Sequence, residues 1–347
     1  MREQKAINGE LVHDLLIEKM NPSLSYNEHA DFTVWKEKVR QKFIELTGID
    51  EIAKNACPLN VQVEWREKKV GYELIRFTFD SEIGATVPCY LLIPDTGKEK
   101  YPVAITLQGH SSGFHNSIAE PKNESQEEYA LGRGKFAVQA VQNGFIALAI
   151  EQRGMGERRP TTPERFTGVN CRWAARLAIE LGRTLIGERV WDVHKAIDAL
   201  ENFSKCDMDK IIITGNSGGG TISYYTACYD QRIKLSAPSC SFCSYKESIL
   251  SVAHCDCNYI PSAYKYFDMQ DLSCLIAPRA LTVITGEQDT IFPLHGVKRS
   301  YETVKKVYAQ NGAQDKCRII QTPQGHYWCE NIVWNVINEE RKKLGWE

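Results

Sequence analysis

The stretch KIIITGNSGGG, residues 210–220, joins a run typical of a buried strand to a Gly-x-Ser-x-Gly motif and decides the fold. Residues 211–214 are β-branched and predict a short strand, and residues 219–229 predict a helix. A serine at such a strand-to-helix turn has a strained backbone that projects its hydroxyl, and the flanking glycines leave room for the turn. The N-terminus of the helix directs free N–H groups towards any anion that forms beside the serine. We therefore predict that Ser217 is a nucleophile.

A second Gly-x-Ser-x-Gly match, GHSSG at residues 109–113, provides an internal comparison. It also follows a strand-like run, residues 101–107, but residues 114–128 show no apolar period of helical spacing. We therefore expect no helix to begin at this turn. The nucleophile assignment stays with Ser217, and the second match needs another explanation.

The composition limits the classes of function. With 347 residues, 43% hydrophobic residues and a formal net charge of −2, the chain is expected to fold as one large domain or a domain with appendages. The balanced charge gives no reason to expect a nucleic-acid or membrane partner, and the apolar runs are much shorter than a membrane span. Residues 1–5 lead into a charged segment rather than an apolar signal core, so we expect a cytoplasmic location.

The order of predicted elements indicates the architecture. Residues 8–56 have apolar residues at helical spacing and predict an N-terminal helical extension over residues 1–58, followed by a catalytic domain over residues 59–347. Residues 61–94 contain β-rich runs that predict antiparallel strands. Strands and helices then alternate, which predicts an α/β fold with a mainly parallel sheet and helices on both faces. The predicted strands cover residues 103–107, 145–150, 211–214, 233–237, 280–285 and 317–321, and the predicted helices cover residues 134–142, 187–202, 219–229, 296–311 and 331–344.

Two stretches, at about residues 154–186 and 240–271, are longer than a strand–helix unit requires, and both follow predicted strands directly. Ligands of open α/β sheets bind beyond the carboxyl ends of the strands. We therefore expect both stretches to be lid segments that wall the active site.

The base that activates Ser217 is sought among eight histidines. A serine hydroxyl is a poor nucleophile unless a base lies within hydrogen-bond reach. When the nucleophile lies at a strand–turn–helix junction, the acid and then the histidine follow it along the chain. His326 follows the last predicted strand and precedes the last predicted helix, so it is the first candidate. His254 and His295 are its rivals, one in a lid segment and one at the approach to a helix.

The carboxylate that orients the base is expected in a turn at the same edge of the sheet. Asp289 lies in the turn after the strand at residues 280–285, where its carboxylate can reach an imidazole. An aspartate in a turn is also a common cap for backbone N–H groups. Three other carboxylates are alternatives in the turn or in the second lid segment: Glu287, Asp256 and Asp271.

The second Gly-x-Ser-x-Gly match acquires a role from the same chemistry. A tetrahedral oxyanion needs two backbone donors, one after the nucleophile and one in the loop after an earlier strand. Gly218 is predicted to supply the first, and the N–H of His110 is predicted to supply the second. Candidate substrate contacts flank these catalytic loops at Gln108, Tyr327 and Trp328.

The chain contains 12 cysteines, and without an export signal we expect them to be reduced thiols. Isolated cysteines with apolar neighbours are expected to act as small buried hydrophobic residues, as at Cys89, Cys171, Cys228 and Cys274. A denser group, which could hold a tetrahedral zinc ion, comprises Cys240, Cys243, Cys255 and Cys257 with the neighbouring His254. The spacing between the two pairs is shorter than in common zinc ribbons. We therefore favour a packing role and expect neither a metal nor a cofactor.

In combination and order, these motifs resemble those of the α/β-hydrolases. The resemblance covers roughly residues 60–345 and rests on segments 77–79, 87–94, 153–156, 215–219, 276–279, 286–289 and 325–326 and on the turn after Leu107. More narrowly, the chain is similar to the branch of acetyl xylan esterases and dienelactone hydrolases, which is related to prolyl-oligopeptidase catalytic domains. The resemblance implies a triad of Ser217, Asp289 and His326, with Gly218 and His110 at the oxyanion hole.

Two positions depart from the pattern of that branch. Gln108 stands where many relatives have a histidine before the glycine, and Glu151 replaces the more usual aspartate ahead of the Arg-Gly turn. We expect Glu151 and Arg153 to form an ion pair that braces this turn.

The expected function is hydrolysis of a small acyl ester by a serine carboxylesterase, and the resemblance implies an acetyl group on a carbohydrate. A peptidase or amidase of the prolyl-oligopeptidase type is an alternative, but the N-terminal extension is too short for a propeller with about 40 residues per blade. A non-catalytic binding protein is a third possibility, although it would not need Ser, Asp and His in this order. The expected partner is a small-molecule or carbohydrate ester, and homo-oligomer formation stays open.

Overall fold

The structure, a computed structural model, describes residues 9–162 and 171–346. Within these ranges the strands are β1 (Gln62–Lys69), β2 (Tyr72–Glu82), β3 (Ala85–Pro94), β4 (Tyr101–Leu107), β5 (Ile146–Ile150), β6 (Cys206–Asn216), β7 (Ile233–Ser239), β8 (Ala280–Gly286) and β9 (Cys317–Thr322). The α-helices are α1 (Glu10–Lys19), α2 (Phe32–Thr47), α3 (Ile49–Ala53), α4 (Glu127–Leu131), α5 (Phe136–Gln142), α6 (Arg172–Glu180), α7 (Leu185–Leu200), α8 (Gly218–Tyr229), α9 (Ser273–Ile276), α10 (Leu294–Gln310) and α11 (Glu330–Lys343).

All the strands belong to one sheet with the order β1-β2-β3-β5-β4-β6-β7-β8-β9. The first three strands are antiparallel to their neighbours, and β3 also pairs antiparallel with β5. From β5 to β9 every neighbouring pair is parallel. The expected α/β fold is confirmed, including the antiparallel entry and the mainly parallel sheet.

The alternation of side chains along each strand divides the core between the two faces of the sheet. On β6, Ile211 and Ile213 lie in one buried cluster, whereas Ile212 lies in the other. The first cluster also takes buried residues from α2, α7, α8 and α10, and the second takes them from α5 and α11. Both faces are therefore covered, which explains why β4 and β5 are buried at every position.

The N-terminal helices differ in how they join this core. Trp35, Val39 and Phe43 on α2 are buried in the larger cluster, and the Phe43 ring stacks on Tyr225 of α8 at 5.8 Å between centroids. No residue of α1 is buried. The helical character expected for residues 8–56 is present, but α2 is part of the main core, so a domain boundary at residue 58 stays a prediction.

Within residues 9–162 and 171–346, no helix combines the length and apolar character that a membrane span requires.

Candidate active site

Ser217 occupies a strained turn between β6 and α8. Its backbone angles, φ 57° and ψ −126°, lie in a region that costs a non-glycine residue on the order of 1–3 kcal/mol. The turn is held by a hydrogen bond from the Ser217 N–H to the Ser239 carbonyl at 2.9 Å. On the other side, the Ser217 carbonyl accepts the first helical hydrogen bond, from the Thr221 N–H at 2.8 Å. Neighbouring elements therefore impose the conformation that the sequence predicts for a nucleophile.

The glycines around Ser217 are required by the packing of the turn on β4. A Cβ at Gly215 or Gly219 would clash with the carbonyl oxygen of Leu107, and a Cβ at Gly220 would clash with Ser241. The turn can approach the end of β4 this closely only because Gly215 and Gly219 lack side chains.

His326 and Asp289 meet as the chain order predicts. His326 Nδ1 and Asp289 Oδ2 are 2.9 Å apart, and the other carboxylate oxygen accepts the N–H groups of Ile291 and Phe292 at 2.8 and 3.0 Å. Burial alone raises the pKa of Asp289, but the hydrogen bonds from His326 and Phe292 outweigh it and hold the pKa below its ordinary value. An ionised Asp289 can therefore fix the orientation of the imidazole.

A chain of contacts connects this pair to Ser217. The Ser217 N–H binds the carbonyl of Ser239, and the next residue, Cys240, has its sulfur within 4.8 Å of ligand atoms of both Asp289 and His326. The loops after β6, β7, β8 and β9 thus meet at the carboxyl edge of the sheet, which is the edge predicted for the site.

The rival bases and acids have other partners. His254 contacts Ser248 Oγ at 3.0 Å, and His295 is exposed and lies 3.7 Å from Glu247. Asp256 pairs with Arg176, and Asp271 accepts the backbone N–H groups of Tyr26 and Asp268. Glu287 lies at the exposed start of the turn after β8. Among the described residues, Asp289 and His326 are the candidates that pair with each other.

One contributor to the site was missed from the sequence. The ring of Phe292 stacks on His326 with centroids 6.0 Å apart and planes at 15°, and it also contacts the His254 ring at 5.3 Å. Phe292 is buried, so it limits the rotation of the imidazole from one side. A single phenylalanine in a turn carries no sequence signal that predicts such a contact.

The turn after β4 lies against the nucleophile turn. A Cβ at Gly109 would lie 2.8 Å from the Asn216 carbonyl oxygen and 3.1 Å from Ser217 Cβ. A Cβ at Gly218 would lie 3.4 Å from ring atoms of His110. The backbone of residues 109–110 therefore runs beside Ser217, where a second oxyanion donor is needed.

The second Gly-x-Ser-x-Gly turn continues into a short helix that the sequence analysis did not expect. Phe114–Ile118 forms a 3₁₀-helix after Gly113, whose φ is 143°. The Phe114 ring stacks on Tyr90 with centroids 4.4 Å apart, so packing rather than an apolar period fixes this turn. This helix is short and begins three residues after Ser111, whereas α8 begins directly after Ser217.

The expected ion pair between Glu151 and Arg153 is wrong. Arg153 binds Asp192 at 2.8 Å and Glu82 at 2.7 Å. Glu151 is fully buried instead beneath the second turn, where it accepts the N–H groups of Phe114 and Glu157 at 3.3 and 3.2 Å. Burial raises the pKa of Glu151 to about 7, although these N–H groups oppose the shift.

Two of the three predicted substrate contacts are wrong because the residues are buried. Gln108 is fully buried and donates to Glu151 Oε1 at 3.3 Å. Trp328 is 1% exposed, packs on Phe136 and donates to Gln139 Oε1 at 2.9 Å. Tyr327 is 39% exposed and lines a cavity of about 460 Å³, with Arg133 over its ring at 4.5 Å. Of the three, only Tyr327 is still predicted to contact the substrate.

The four cysteines that the sequence groups as a conceivable zinc site, for which a packing role is favoured, do not come together. Cys240 Sγ approaches the carbonyls of Gly325 and Tyr327 at 3.8 and 3.6 Å, and Cys243 Sγ approaches that of Pro293 at 3.8 Å. Burial raises the pKa of both thiols to about 12. Cys240 and Cys243 follow β7 into the core, whereas Cys255 and Cys257 lie in a later loop with different neighbours.

The two expected lid segments meet each other, although part of the second lies in the core. Arg176 on α6 binds Asp256 at 2.8 Å, which joins residues 154–186 to residues 240–271. Phe242 and Tyr245 are buried in the main cluster. Residues 163–170 of the first segment lie outside the described residues.

Comparison with known proteins identifies a family and a relative that match this chain in sequence. The model of a family described as "Abhydrolase family" matches residues 2–231, a range that includes Ser217 but not Asp289 or His326. "Putative hydrolase YtaP" of Bacillus subtilis (strain 168) is 26% identical over 276 residues, which cover 78% of this chain and 88% of that protein.

Two solved structures illustrate the likeness of fold. A crystal structure described as "a putative acetyl xylan esterase" from Bacteroides fragilis has a TM-score of 0.81 at 18% identity, over 99% of this chain and 96% of that chain. A glucuronoyl esterase from Solibacter usitatus has a TM-score of 0.68 at 17% identity, over 94% of this chain and 98% of that chain. At these identities the similarity concerns the fold alone.

Proposed function

The chain belongs to the Abhydrolase family, and from this premise we propose that it is a serine carboxylesterase that removes a small acyl group, such as acetyl, from a carbohydrate or related small molecule. The observation that carries the proposal is the meeting of a strained serine turn with a hydrogen-bonded histidine–aspartate pair at one edge of the sheet. Two of the structural relatives are named as an acetyl xylan esterase and a glucuronoyl esterase, which supports carbohydrate esters as the substrate class.

In the proposed mechanism, Ser217 Oγ attacks the ester carbonyl carbon while its proton moves to Nε2 of His326. Nδ1 of His326 stays bonded to Asp289, which stabilises the imidazolium as it forms. The carbonyl oxygen becomes an oxyanion beside the backbone N–H groups of Gly218 and His110. The tetrahedral intermediate then collapses, the carbon–oxygen bond to the alcohol breaks, and His326 donates its proton to the departing oxygen.

Water completes the proposed cycle by the same groups. His326 removes a proton from a water molecule, whose oxygen attacks the acyl-enzyme carbonyl and forms a second oxyanion in the same place. Collapse of this intermediate releases the carboxylic acid, and the proton on His326 returns to Ser217 Oγ. No further group is needed to balance these steps.

A panel of esters tests this function. We expect acetyl esters of simple alcohols and sugars to be hydrolysed faster than longer acyl or feruloyl esters, measured as kcat/KM for each. Peptide and anilide substrates in the same panel test the peptidase alternative. If the anilides are cleaved and every ester is left intact, the esterase proposal is wrong.

The panel also tests the non-catalytic alternative. A binding protein with this fold would hydrolyse nothing in the panel and would not react with a fluorophosphonate. The cost of holding Ser217 at a positive φ argues against it, because a surface that only binds has no need for a strained serine or for a hydrogen-bonded histidine–aspartate pair at the same sheet edge.

A further inference from the structure

Four side chains with metal-ligating atoms converge beside the turn after β4, and the proposed ester chemistry uses none of these side chains. They are His110, Cys171, Cys255 and Cys257, and their donor atoms all lie within 4.8 Å of one another. His110 Nε2 is 3.3 Å from Cys171 Sγ and 3.2 Å from Cys257 Sγ, and the sulfurs of Cys171 and Cys255 are 2.8 Å apart. We refer to these four residues as the Cys₃His cluster.

The Cys₃His cluster is assembled from three separate segments of the chain. His110 comes from the turn after β4, and Cys171 immediately precedes α6. Cys255 and Cys257 flank Asp256 in a short 3₁₀ turn of the second lid segment. Proximity in the sequence groups Cys255 and Cys257 with Cys240 and Cys243 instead. The partners that the fold supplies, His110 and Cys171, are distant in sequence and showed no shared motif.

We propose that the Cys₃His cluster binds one zinc ion with tetrahedral coordination. Three thiolates and one imidazole are a common donor set of structural zinc sites, with Zn–S bonds of about 2.3 Å and Zn–N bonds of about 2.0 Å. Such bonds place the donor atoms roughly 3.5–3.8 Å apart, close to the two nitrogen–sulfur separations of the cluster. Cys171 and Cys255 must separate by about 1 Å, which rotation of the partly exposed Cys255 side chain supplies.

A buried arginine, Arg189, beside the Cys₃His cluster is consistent with a bound zinc ion. A zinc ion with three thiolates and a neutral imidazole carries one negative charge, which is costly to bury without a partner. Arg189 is 2% exposed, interacts with Cys257, and donates two hydrogen bonds to the Arg153 carbonyl at 3.0 and 2.7 Å. A buried guanidinium beside sulfur atoms is accounted for when those sulfurs carry negative charge.

A packing role alone explains less of the geometry. Cys171 and Cys257 do border a small apolar cluster with Ala175 and Leu185, so their burial needs no metal. Packing does not explain why an imidazole nitrogen points at two of the sulfurs, or why a cation is buried behind them. A disulfide between Cys171 and Cys255 is the other competitor, and it would leave Cys257 and His110 unexplained.

Zinc at this place would fix the proposed oxyanion hole without taking part in the chemistry. Four protein ligands leave no open coordination position for a substrate, so the site is structural. The His110 ring lies against Gly218, and its backbone runs beside Ser217. The ion would therefore bind both lid segments to the turn that carries the second oxyanion donor, and its ligands act as positioning residues.

Metal analysis of protein purified without chelators tests the proposal. We expect one equivalent of zinc per chain by mass spectrometry, and we expect Co²⁺ added after zinc removal to give the intense visible bands of a tetrahedral thiolate site. Under denaturing, non-reducing conditions all 12 thiols should be alkylated once zinc is removed. Two fewer alkylated thiols and no zinc would indicate a disulfide and overturn the proposal.

A matched pair of variants assigns the metal to the cluster. Cys257→Ser should lose stoichiometric zinc, whereas Cys57→Ser, at a partly exposed cysteine outside the cluster, should retain it. Equal zinc in both variants would contradict the assignment, as would less than about a tenth of an equivalent in the wild-type protein. If Cys257→Ser does not fold, the Co²⁺ spectrum of the wild-type protein decides. These readouts do not use ester hydrolysis, so the zinc site and the esterase proposal can fail independently.

Discussion

The two Gly-x-Ser-x-Gly turns of this chain share a pattern and a sheet edge but differ in what holds them. The turn at residues 215–219 connects β6 directly to α8, and Ser217 has a positive φ. The turn at residues 109–113 follows β4 and reaches a short 3₁₀-helix only at Phe114. Hydrogen bonds of regular structure hold the first turn, whereas the buried carboxylate of Glu151 and the ring packing of Phe114 hold the second.

This difference shows that five residues alone do not make a nucleophile. The strain at Ser217 is imposed by a strand on one side and a helix on the other, and the glycines only make it tolerable. The second turn lacks that constraint but approaches Ser217 through Gly109. One turn is thus suited to carry the nucleophile, and the other is suited to stabilise the charge that the nucleophile creates.

The largest contrast should come from replacing the central serine of each turn. We expect Ser217→Ala to lower kcat for p-nitrophenyl acetate by about 10⁵-fold or more, because the nucleophile is lost. Ser111→Ala, the matched change in the second turn, should leave kcat within a few-fold. Steady-state kinetics of the two variants measure this, and equal losses would remove the distinction between the turns.

The next effect concerns the acid that orients His326. Asp289→Asn should lower kcat by about 10⁴-fold, since the hydrogen bond to His326 Nδ1 would no longer favour the productive tautomer. Glu287→Gln, an exposed change in the same turn, is the control and should retain near wild-type kcat. A large loss in the Glu287 variant with little loss in the Asp289 variant would reverse the assignment.

A smaller loss is expected when the second turn is moved away from Ser217. The Cβ of Gly109→Ala would press on the Asn216 carbonyl and on Ser217, and would displace the proposed oxyanion donor. We expect kcat to fall by about 10²–10³-fold with a modest change in KM. Gly9→Ala, where a Cβ meets no atom within 4 Å, provides the control. Unchanged kcat in the Gly109 variant would mean that this turn plays no part in catalysis.

The smallest effect concerns the free energy of unfolding and tests Glu151, which holds the second turn but not the first. The pKa of Glu151 is raised by burial from 4.5 to about 7, so the folded protein retains a proton that the unfolded chain releases between these values. Its contribution to stability therefore falls as the pH rises from about 4.5 to about 7. Glu151→Gln keeps an oxygen for the N–H groups of Phe114 and Glu157 and removes this dependence.

Urea unfolding at several pH values measures this difference. Relative to the wild type, Glu151→Gln should become more stable from pH 5 to pH 8, by on the order of 1–3 kcal/mol. The variant should be accommodated because Gln108 Oε1, which is buried without a partner, can accept the new amide. Glu124→Gln, in an exposed turn, should change nothing. Parallel stability curves for the Glu151 variant and the wild type would contradict the expectation.

Most of the fold could be predicted because its signals are local. Runs such as residues 211–214 and the period of residues 219–229 mark buried strands and helices, and chain order then placed Asp289 and His326 at the edge occupied by Ser217. Strand ends depend on pairing between distant residues: β6 extends from Cys206 to Asn216, well beyond the apolar run, because it continues to pair with β4.

The failures involve residues whose role depends on distant neighbours. Gln108 and Trp328 flank catalytic loops, but their side chains are buried. In a loop, no periodic pattern indicates whether a side chain faces the core or the solvent. Arg153 forms ion pairs with Asp192 and Glu82 rather than with Glu151, which is nearer in sequence. The Cys₃His cluster joins three segments that are up to 147 positions apart, so no spacing rule could have found it.

The central claim, that Ser217 is the nucleophile and the second turn is not, is tested most directly by covalent labelling. A fluorophosphonate probe reacts with a serine only when a neighbouring base activates it. We expect one label per chain, mapped by peptide mass spectrometry to Ser217, at full extent in Ser111→Ala and absent in Ser217→Ala. Labelling that persists in Ser217→Ala, or that maps to Ser111, would contradict the account.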